Sequence, residues 1–460
     1  MSCFSVLVSA SRYTETMVIN DFEFWHQDRQ VNPRHLESIL DFHRTGIKSS
    51  PGYQPAFGVE IEHLTVRTKD NSLSAPAGQA VTYGEKHGMK DVLHDLRPLF
   101  DPDREFWDKE SLLGLGRPGG TLSLEPGGQL EFSLDPVHTS QELADLYRIF
   151  RADVDPVLSR HGIRLITYVY QPVSKARDIE IIPERRYDCM NRFFGRISSF
   201  GWNMMRASAS TQISIDYVSQ ADAVTKMRVA TAVDPILGFF FRNSPYFEGK
   251  KNPYPLLRQH LWGQLDQNRT GITPGLYDDD FGFEQAAYNV LASPLMVADL
   301  THTPDADCPH DSQVFMASFA NAADIYPDRP LNKYEITHII STHFNDVRLK
   351  NFLELRHWDS LPIGRVAHLV DLAQGLFYNP SKLADCSRYF SGLSRLDVEE
   401  AKLNMQVYGK RSHPYDRPLD FWWEFLGCNQ VMGPYDPDSP LPSATCAIPG
   451  DSLHPDIFQE

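Results

Sequence analysis

The sequence predicts an α+β fold built on a largely antiparallel β-sheet, with helices against one face and acidic side chains on the other. Four separated segments alternate apolar and polar residues with the period of two that a strand requires. Segments with helical spacing lie between and after them, and turn-rich connections separate the elements. The four predicted strands are Phe57–Val66, Gln129–Leu134, Thr211–Tyr217 and Val347–Leu355.

The first predicted strand, FGVEIEHLTV, establishes the pattern. Phe57, Val59 and Ile61 share one face, and Glu60 and Glu62 share the other. Adjacent carboxylates repel each other, so either water on an open face or divalent cations in a pocket must offset that repulsion. A sheet with one solvated side is the common arrangement. Both interpretations therefore stay open at this point.

The other predicted strands repeat the arrangement. Their polar faces carry Glu131, Gln212 with Asp216, and Glu354 with Arg356. Mg²⁺ prefers carboxylate oxygens and substrate phosphates, and an arginine beside a carboxylate is placed to bind a phosphate. A concave sheet that binds two or three Mg²⁺ ions is therefore the sharper interpretation, and it suits phosphoryl transfer.

Helices are predicted before and between the strands. One spans residues 21–46 and another spans residues 85–100. Thr139 and Glu142 have the spacing of a capping box, and they begin a helix that ends at Gly162.

Later segments are mostly helical. Ile163–Tyr170 is predicted to be a buried strand. Residues 183–206 are interpreted as a loop and a helical piece. A long helix is predicted from Gln220 to Arg242. Pro235 predicts a kink in that helix. The C-terminal helices are predicted over residues 333–344, 363–378, 397–408 and 419–427.

A glycine-rich segment contains the spacing of a dinucleotide-binding motif. Gly114, Gly116 and Gly119 spell G-x-G-x-x-G, the dinucleotide fingerprint. That motif needs a helix to open on its last glycine, and here Pro118 and a strand occupy the place, so a dinucleotide site is excluded. The PGG turn that follows predicts a hairpin between Leu122–Leu124 and the second acidic strand.

Composition excludes other classes of protein. The 460 residues are 42% apolar and 23% charged, as in soluble globular proteins. A net charge of −16 without a Lys/Arg run argues against nucleic acid or an anionic membrane as the partner. No window approaches the roughly 18 apolar residues of a membrane span. Six cysteines without a C-x-x-C pair indicate reduced thiols, from which we expect a cytoplasmic enzyme.

We expect three regions along the chain. These are a flexible N-terminal extension over residues 1–20, a single catalytic domain over 21–432, and a Pro-, Asp- and Ser-rich tail over 433–460. The opening residues lack the basic n-region of a signal peptide, and Met17 is an alternative start of translation.

Seven motifs occur in order along the chain: GVEIEH, LSLEPGGQLEFS, ERRYDCMNRFF, MMRASASTQISIDY, FRNSPYFEGKKN, HLWGQLDQNRTG and VRLKNFLELR. Together they resemble the plant-like branch of the glutamate–cysteine ligase family, over roughly Phe57 to Leu361. The resemblance implies a glutamine-synthetase-like fold, an open funnel or barrel of curved, largely antiparallel sheet flanked by helices. It implies that ATP phosphorylates the γ-carboxylate of L-glutamate and that the amine of L-cysteine then displaces phosphate, giving γ-glutamylcysteine.

The resemblance also implies roles for individual residues. The expected ligands of two or three Mg²⁺ ions are Glu60, Glu62, Glu125, Glu131, Gln212 and Glu354. The expected catalytic residues are Arg356, which stabilises the transferred γ-phosphate, and Glu354. The expected nucleotide-binding residues are Arg356, Lys250, Lys251 and Arg186. The expected amino-acid-binding residues are Arg258, Arg186, Tyr187, Met190, Met204 and Trp262.

One departure from the family leaves the acceptor open. The family's arginine strand commonly runs E-x-R-G-x-D, whereas this chain has bulky His357 and Trp358 after Arg356. A ligase that joins glutamate to another amine is therefore an alternative, as are a metal-dependent phosphohydrolase and a non-catalytic binding relative. We expect small-molecule partners only, neither nucleic acid nor membrane, and a monomer or homodimer.

Overall fold

The computed structural model describes residues 31–68, 77–304, 313–317 and 320–435. The predicted N-terminal extension, Met17, residues 21–30 of the first predicted helix and the tail from residue 436 lie outside the described residues. The helices are α1 Pro33–Thr45, α2 Met89–Leu96, α3 Ser140–Arg160, α4 Arg185–Ile197, α5 Gly201–Ala207, α6 Gln220–Phe240, α7 Leu257–Gly263, α8 Phe283–Ala292, α9 Ala322–Ile325, α10 Lys333–Ser341, α11 Ile363–Phe377, α12 Pro380–Tyr389, α13 Arg395–Tyr408, α14 Leu419–Phe425 and α15 Cys428–Met432.

The strands are β1 Phe57–Arg67, β2 Asp101–Asp108, β3 Ser111–Arg117, β4 Gly120–Leu124, β5 Leu130–Val137, β6 Ile163–Ile166, β7 Ser210–Ile215, β8 Tyr246–Phe247, β9 Lys250–Lys251, β10 Thr270–Gly271, β11 Val297–Asp299, β12 Val314–Met316, β13 Phe344–Asn345, β14 Val347–Leu349 and β15 Leu353–Asp359. Among the described residues, nine strands form one antiparallel sheet in the order β14-β15-β7-β1-β5-β4-β3-β2, with β6 paired to the second half of β1. The sheet does not close, because β14 and β2 remain its two edges. The predicted α+β class and largely antiparallel sheet are confirmed.

Strand β1 lies at the centre because it pairs with β5 and β7 along its first half. Its alternate residues Phe57, Val59 and Ile61 are all at most 1% exposed and join the main hydrophobic core. Helices α3, α6 and α11 cover that face, and α3 packs on both β5 and α11. Each Å² of apolar surface that is removed from water stabilises the fold by roughly 25 cal/mol, so this buried face is the main source of stability.

Helix boundaries follow the capping signals. Thr139 accepts a hydrogen bond from the backbone amide of Glu142 at the start of α3, as its spacing predicts. Ser219 does the same for Asp222 at the start of α6, and that helix runs through Pro235 as one element. Among the described residues, no helix is both long and apolar enough to cross a membrane.

The glycine-rich segment is β-structure, as the rejection of the dinucleotide fingerprint requires. Gly114 and Gly116 lie within β3, which pairs with β4. The prediction missed β2 and β3 as strands, although they extend the sheet by two members. In the next turn, a Cβ on Gly127 would lie 2.0 Å from the carbonyl oxygen of Arg206, so only glycine lets the β4–β5 turn pack on α5.

The fourth predicted strand is wrong in one respect. Val347–Leu355 is a hairpin, in which β14 folds back on the start of β15 and Arg348 pairs opposite Glu354. A tight turn closes it, with the amide of Lys350 donating to the carbonyl of Phe352 at 2.8 Å. The apolar–polar alternation continues through the turn, so periodicity alone does not distinguish one long strand from two short ones.

A partly buried lysine anchors the C-terminal helices to the sheet. Lys402 on α13 forms an ion pair with Asp234 of α6 at 2.9 Å and a second pair with Asp346, which lies between β13 and β14. The side chain of Asp234 is 1% exposed. Removing one partner of such a group leaves an uncompensated buried charge, which is strongly destabilising.

We expect Lys402→Met to lower the free energy of unfolding by about 3–5 kcal/mol, because two carboxylates lose their cation in a low-dielectric environment. Urea unfolding followed by circular dichroism measures this. The matched control is Arg388→Met, since Arg388 is 76% exposed in its pair with Asp385 and should change stability by less than about 0.5 kcal/mol. Equal stability of the two variants would contradict this anchor.

Candidate active site

A cavity of about 280 Å³ opens on the polar face of the sheet. Strands β1, β5, β7 and β15 form its floor, and side chains from α4, α5 and α7 form its walls. The lining residues are Glu60, Glu62, Glu125, Pro126, Gln129, Glu131, Glu184, Arg186, Tyr187, Met190, Met204, Met205, Ser208, Gln212, Arg258, Trp262, Ser341, Phe344, Arg348, Lys350, Glu354 and Arg356. Of the residues assigned a site role from the sequence, all but Lys250 and Lys251 line it; Asp216, which was expected on the same polar face, instead accepts hydrogen bonds from Tyr53 and Ala56.

Strand register brings the acidic side chains together. Glu62 of β1 lies directly opposite Glu131 of β5, and Glu60 lies directly opposite Gln212 of β7. Opposite residues of antiparallel strands share a face. Glu354 lies opposite Ser214, one strand further along the same face. Carboxylates from three separate strands therefore meet in one cavity.

The carboxylates at the centre of this face are protonated more readily than usual. Burial raises the pKa of Glu131 well above its ordinary range, and the charges of Glu60 and Glu125 raise it further. Burial, with repulsion from Glu62 and Glu184, raises the pKa of Glu125 to about 8. Burial and the charge of Glu354 also raise the pKa of Glu60. Such a group of oxygens fits a hard divalent cation, which would remove the repulsion.

Two of the acidic residues already have neutral hydrogen-bond donors. Glu62 accepts from the amide and hydroxyl of Ser210 at 2.8 and 2.7 Å, and from Gln212 at 3.2 Å. Glu131 accepts from Ser133 at 2.8 Å and from Ser123 at 3.2 Å. These contacts hold the carboxylates in place without neutralising their charge.

The opposite end of the cavity is cationic. Glu354 pairs with Arg348 at 2.5 Å, with Lys350 at 2.8 Å and with Arg356 at 3.2 Å. Burial alone would raise the pKa of Glu354, but the three cations hold it well below its ordinary value. Glu354 therefore stays ionised, and coordination of a metal by Glu354 would require exchange of one of these pairs.

A bulge aims Arg356 into the cavity. The pairing of β15 with β7 shifts between Leu355 and Trp358, so that one extra residue lies on β15. The amide of Arg356 donates to Asp346, and its carbonyl accepts from Arg258 Nε at 3.0 Å. The Arg356 guanidinium in turn donates to the side-chain oxygen of Gln212.

The same bulge determines on which face of the sheet the bulky side chain of Trp358 lies. Its side chain is 2% exposed and belongs to the hydrophobic core, on the side of the sheet away from the cavity. Asp359, the residue after Trp358, accepts a hydrogen bond from the amide of Asn243 at 2.6 Å. Trp358 thus stabilises the strand and does not narrow the cavity.

Helices α4 and α7 supply the remaining walls. Arg186 donates to the hydroxyl of Ser341 at 2.8 Å, and Tyr187 donates to Glu125 at 3.4 Å. Burial lowers the pKa of Arg258 to about 10. The guanidinium groups of Arg258 and Arg356 lie 5.6 and 5.8 Å from the Trp262 ring centre.

Three charged residues of the cavity escaped the sequence prediction: Glu184, Arg348 and Lys350. Arg348 and Lys350 alternate in phase with Glu354, so the sequence pattern places them on the same polar face, but they were not selected as site residues. Glu184 stands in the ERRYD motif immediately before α4, and burial raises its pKa to about 7. By contrast, Lys250 and Lys251 are exposed on the small β8–β9 hairpin and do not line the cavity.

The cysteines agree with the expectation of reduced thiols. Among the described residues, Cys189, Cys386 and Cys428 are free and buried. Burial raises the pKa of the Cys189 thiol, as expected for an unreactive group rather than a redox switch.

Comparison with known proteins identifies relatives. The profile of glutamate-cysteine ligase family 2 (GCS2) matches residues 56–408. The chain is 28% identical over 382 residues to a chloroplastic glutamate–cysteine ligase of Arabidopsis thaliana, covering 82% of this chain and 67% of that protein. It is 31% identical over 326 residues to chloroplastic glutamate–cysteine ligase B of Oryza sativa subsp. japonica, covering 70% of this chain and 64% of that protein.

Among solved structures, a glutamate–cysteine ligase from Francisella tularensis in complex with AMP superposes with a TM-score of 0.41 at 12% identity, covering 78% of this chain and 72% of that chain. The matched region spans about two thirds of the length of the plant relatives. The expectation of a cytoplasmic location is wrong by this comparison, because the plant relatives are chloroplastic. Free cysteines indicate a reducing compartment and do not say which one.

The raised pKa of Glu125 predicts a pH dependence of stability. The folded state binds a proton at Glu125 up to about pH 8, whereas an unfolded Glu releases it near pH 4.5. Metal-free protein should therefore lose stability as pH rises from about 5 to 8, by at most roughly 1.4 kcal/mol per pH unit for this group.

Urea unfolding in EDTA at pH 6, 7 and 8 measures this dependence. Glu125→Gln should make the slope shallower by up to roughly 1.4 kcal/mol per pH unit, while Glu60, Glu131 and Glu184, whose pKa values are also raised, keep their own contributions. Glu400→Gln on the exposed side of α13 is the control and should keep the wild-type slope. An unchanged slope in Glu125→Gln would disprove the assigned shift.

Proposed function

The chain belongs to glutamate-cysteine ligase family 2, and from that premise we propose that it joins the γ-carboxylate of L-glutamate to the amine of L-cysteine at the expense of ATP. The products are γ-glutamylcysteine, ADP and phosphate, and the dipeptide is the thiol precursor for glutathione biosynthesis. The observation that carries the proposal is one cavity with an acidic half on β1 and β5 and a cationic half on β14 and β15.

The acidic half fits Mg²⁺. We propose that Glu60, Glu62, Glu125, Glu131, Gln212 and Glu354 hold two or three of these ions. The raised pKa values of Glu60, Glu125 and Glu131 support this, because these carboxylates are crowded and buried. Bound Mg²⁺ would supply positive charge against the phosphate oxygens of the nucleotide.

The cationic half fits the transferred phosphoryl group. In the first step a γ-carboxylate oxygen of glutamate attacks the γ-phosphorus, the bond to the β–γ bridging oxygen breaks, and ADP leaves. We assign to Arg356, which the bulge holds in the cavity, the stabilisation of the negative charge that develops on the phosphoryl oxygens. Arg348 and Lys350 add charge. Glu354 pairs with all three cations in the metal-free protein, and it would exchange one of these pairs for Mg²⁺.

In the second step the cysteine amine attacks the acyl carbon of the glutamyl phosphate. A C–N bond forms, the C–O bond to phosphate breaks, and the departing phosphate takes up the proton that the amine releases. We propose that Arg186 and Arg258 bind the amino-acid carboxylates. Tyr187, Met190, Met204 and Trp262 form the walls that orient the substrates.

Omission assays test the proposal directly. Purified full-length chain is supplied with ATP and Mg²⁺, with and without glutamate and cysteine, and phosphate release is followed together with the mass of the dipeptide. We expect turnover only with both amino acids. Phosphate release without glutamate would show a phosphohydrolase, and preference for another amine among the twenty amino acids would show a different acceptor. No turnover with any acceptor would show a non-catalytic relative.

Arg356→Met should lower kcat by about 10²–10³, because it removes a charged donor from the transferring phosphoryl group. Its KM for cysteine should change little. Initial rates at saturating substrates measure the effect, and circular dichroism checks the fold. Arg388→Met is the control and should keep wild-type rates. A full rate in Arg356→Met would exclude Arg356 from phosphoryl transfer.

A further inference from the structure

A second group of metal-ligating side chains lies outside the cavity. His87 precedes α2, Asp91 lies in its first turn, and His161 caps the end of α3. The ligand atoms of the three side chains lie within 4.8 Å of one another. We propose that they bind one divalent transition-metal ion, with Zn²⁺ as the probe.

The separation of the two imidazoles supports a shared metal. Nδ1 of His87 and Nδ1 of His161 are 3.3 Å apart, so the two rings form a direct hydrogen bond without metal. Two nitrogens bound at 2.0–2.1 Å to a tetrahedral Zn²⁺ lie about 3.3 Å from each other. The two nitrogens are therefore already at the spacing that one shared ion requires.

A carboxylate outside the ligand set fixes the tautomer of His161. Nε2 of His161 lies 2.9 Å from Asp95 Oδ2, so the ring donates its proton there and leaves the lone pair of Nδ1 toward His87. A ligating histidine that donates its other N–H to a carboxylate is the usual arrangement around zinc. Asp95 is thus a positioning residue for the proposed site.

The backbone already holds the two histidines together. A single nitrogen of Arg67, Nη1, donates to the carbonyls of His87 at 3.1 Å and of His161 at 3.0 Å. Arg67 is 2% exposed, and its other terminal nitrogen pairs with Glu85 at 3.0 Å. The ligands are therefore brought close before any metal binds, which lowers the cost of ordering them.

The chemistry of the site differs from that of the cavity. Two imidazoles and one carboxylate leave a fourth position for water and select a borderline ion such as Zn²⁺ over Mg²⁺. Near the ligands, Arg67 pairs with Glu85 and Arg160 lies 3.9 Å from Asp95, so both of these cations already have carboxylate partners. None of the ligands lines the cavity. A bound ion would tie the start of α2 to the end of α3.

Equilibrium dialysis of the full chain tests the site. Protein is dialysed at pH 7.5 against micromolar Zn²⁺ in millimolar Mg²⁺, which favours Mg²⁺ at carboxylate sites, and bound zinc is counted. Wild type should retain one more Zn²⁺ per chain than His87→Asn and His161→Asn. Asparagine suits position 87 because the backbone there has φ +57, a conformation that asparagine tolerates. Asp95→Asn should bind about 10–100-fold more weakly.

His94→Asn is the matched control, since His94 is an exposed histidine on the same helix α2. It should retain zinc like wild type. Asp91→Asn, at an exposed position, should weaken binding without affecting the fold, and circular dichroism in EDTA checks all variants. Zinc retention in His87→Asn equal to wild type would overturn the proposal, as would a wild type that retains none.

Discussion

Carboxylates crowd together on the polar face of the sheet, and their mutual repulsion is the constraint around which the neighbouring elements are arranged. Glu60, Glu62 and Glu131 come from adjacent strands in direct register. Burial of such charges is unfavourable unless cations or donors offset it. The raised pKa values of Glu60 and Glu131 show that the described protein groups alone offset it incompletely. Strongly shifted pKa values of this kind are concentrated at functional sites.

At the other end of the same cavity, positive charge is in excess. Arg348, Lys350 and Arg356 converge on one fully buried carboxylate, Glu354, so three cations share a single anion. The excess positive charge is directed into the cavity, where an anionic group would bind favourably. Hairpin β14–β15 and the bulge after Leu355 produce this convergence from one short stretch of chain. Acidic and cationic halves then face each other across a space of about 280 Å³.

The outer helices keep the cationic half in position. Lys402 of α13 ties α6 to Asp346, and the carbonyl of Asp346 in turn accepts the amide of Arg356. A route of direct contacts therefore runs from the C-terminal helices to Arg356. At the end of β1, Arg67 holds the His87 and His161 backbones together by donating to both of their carbonyls.

The sequence by itself determined the face on which each site residue lies. Alternation with a period of two placed Glu60, Glu62, Glu131 and Glu354 opposite the apolar core, because a strand allows no other arrangement. The seven ordered motifs identified the family, which the profile match over residues 56–408 shows. Cysteine usage indicated reduced thiols but not the compartment.

Only the tertiary structure decided which distant segments meet. Alternation does not mark a turn, so the return of Arg348 and Lys350 to Glu354 was invisible until Val347–Leu355 was seen as a hairpin. Nor does it mark a bulge, which is why Trp358 was expected near the cavity although it packs in the core. His87 and His161 are 74 residues apart in the chain, and only the packing of α2 against α3 brings their rings together. Local periodicity fixes orientation, whereas register and long-range packing fix position.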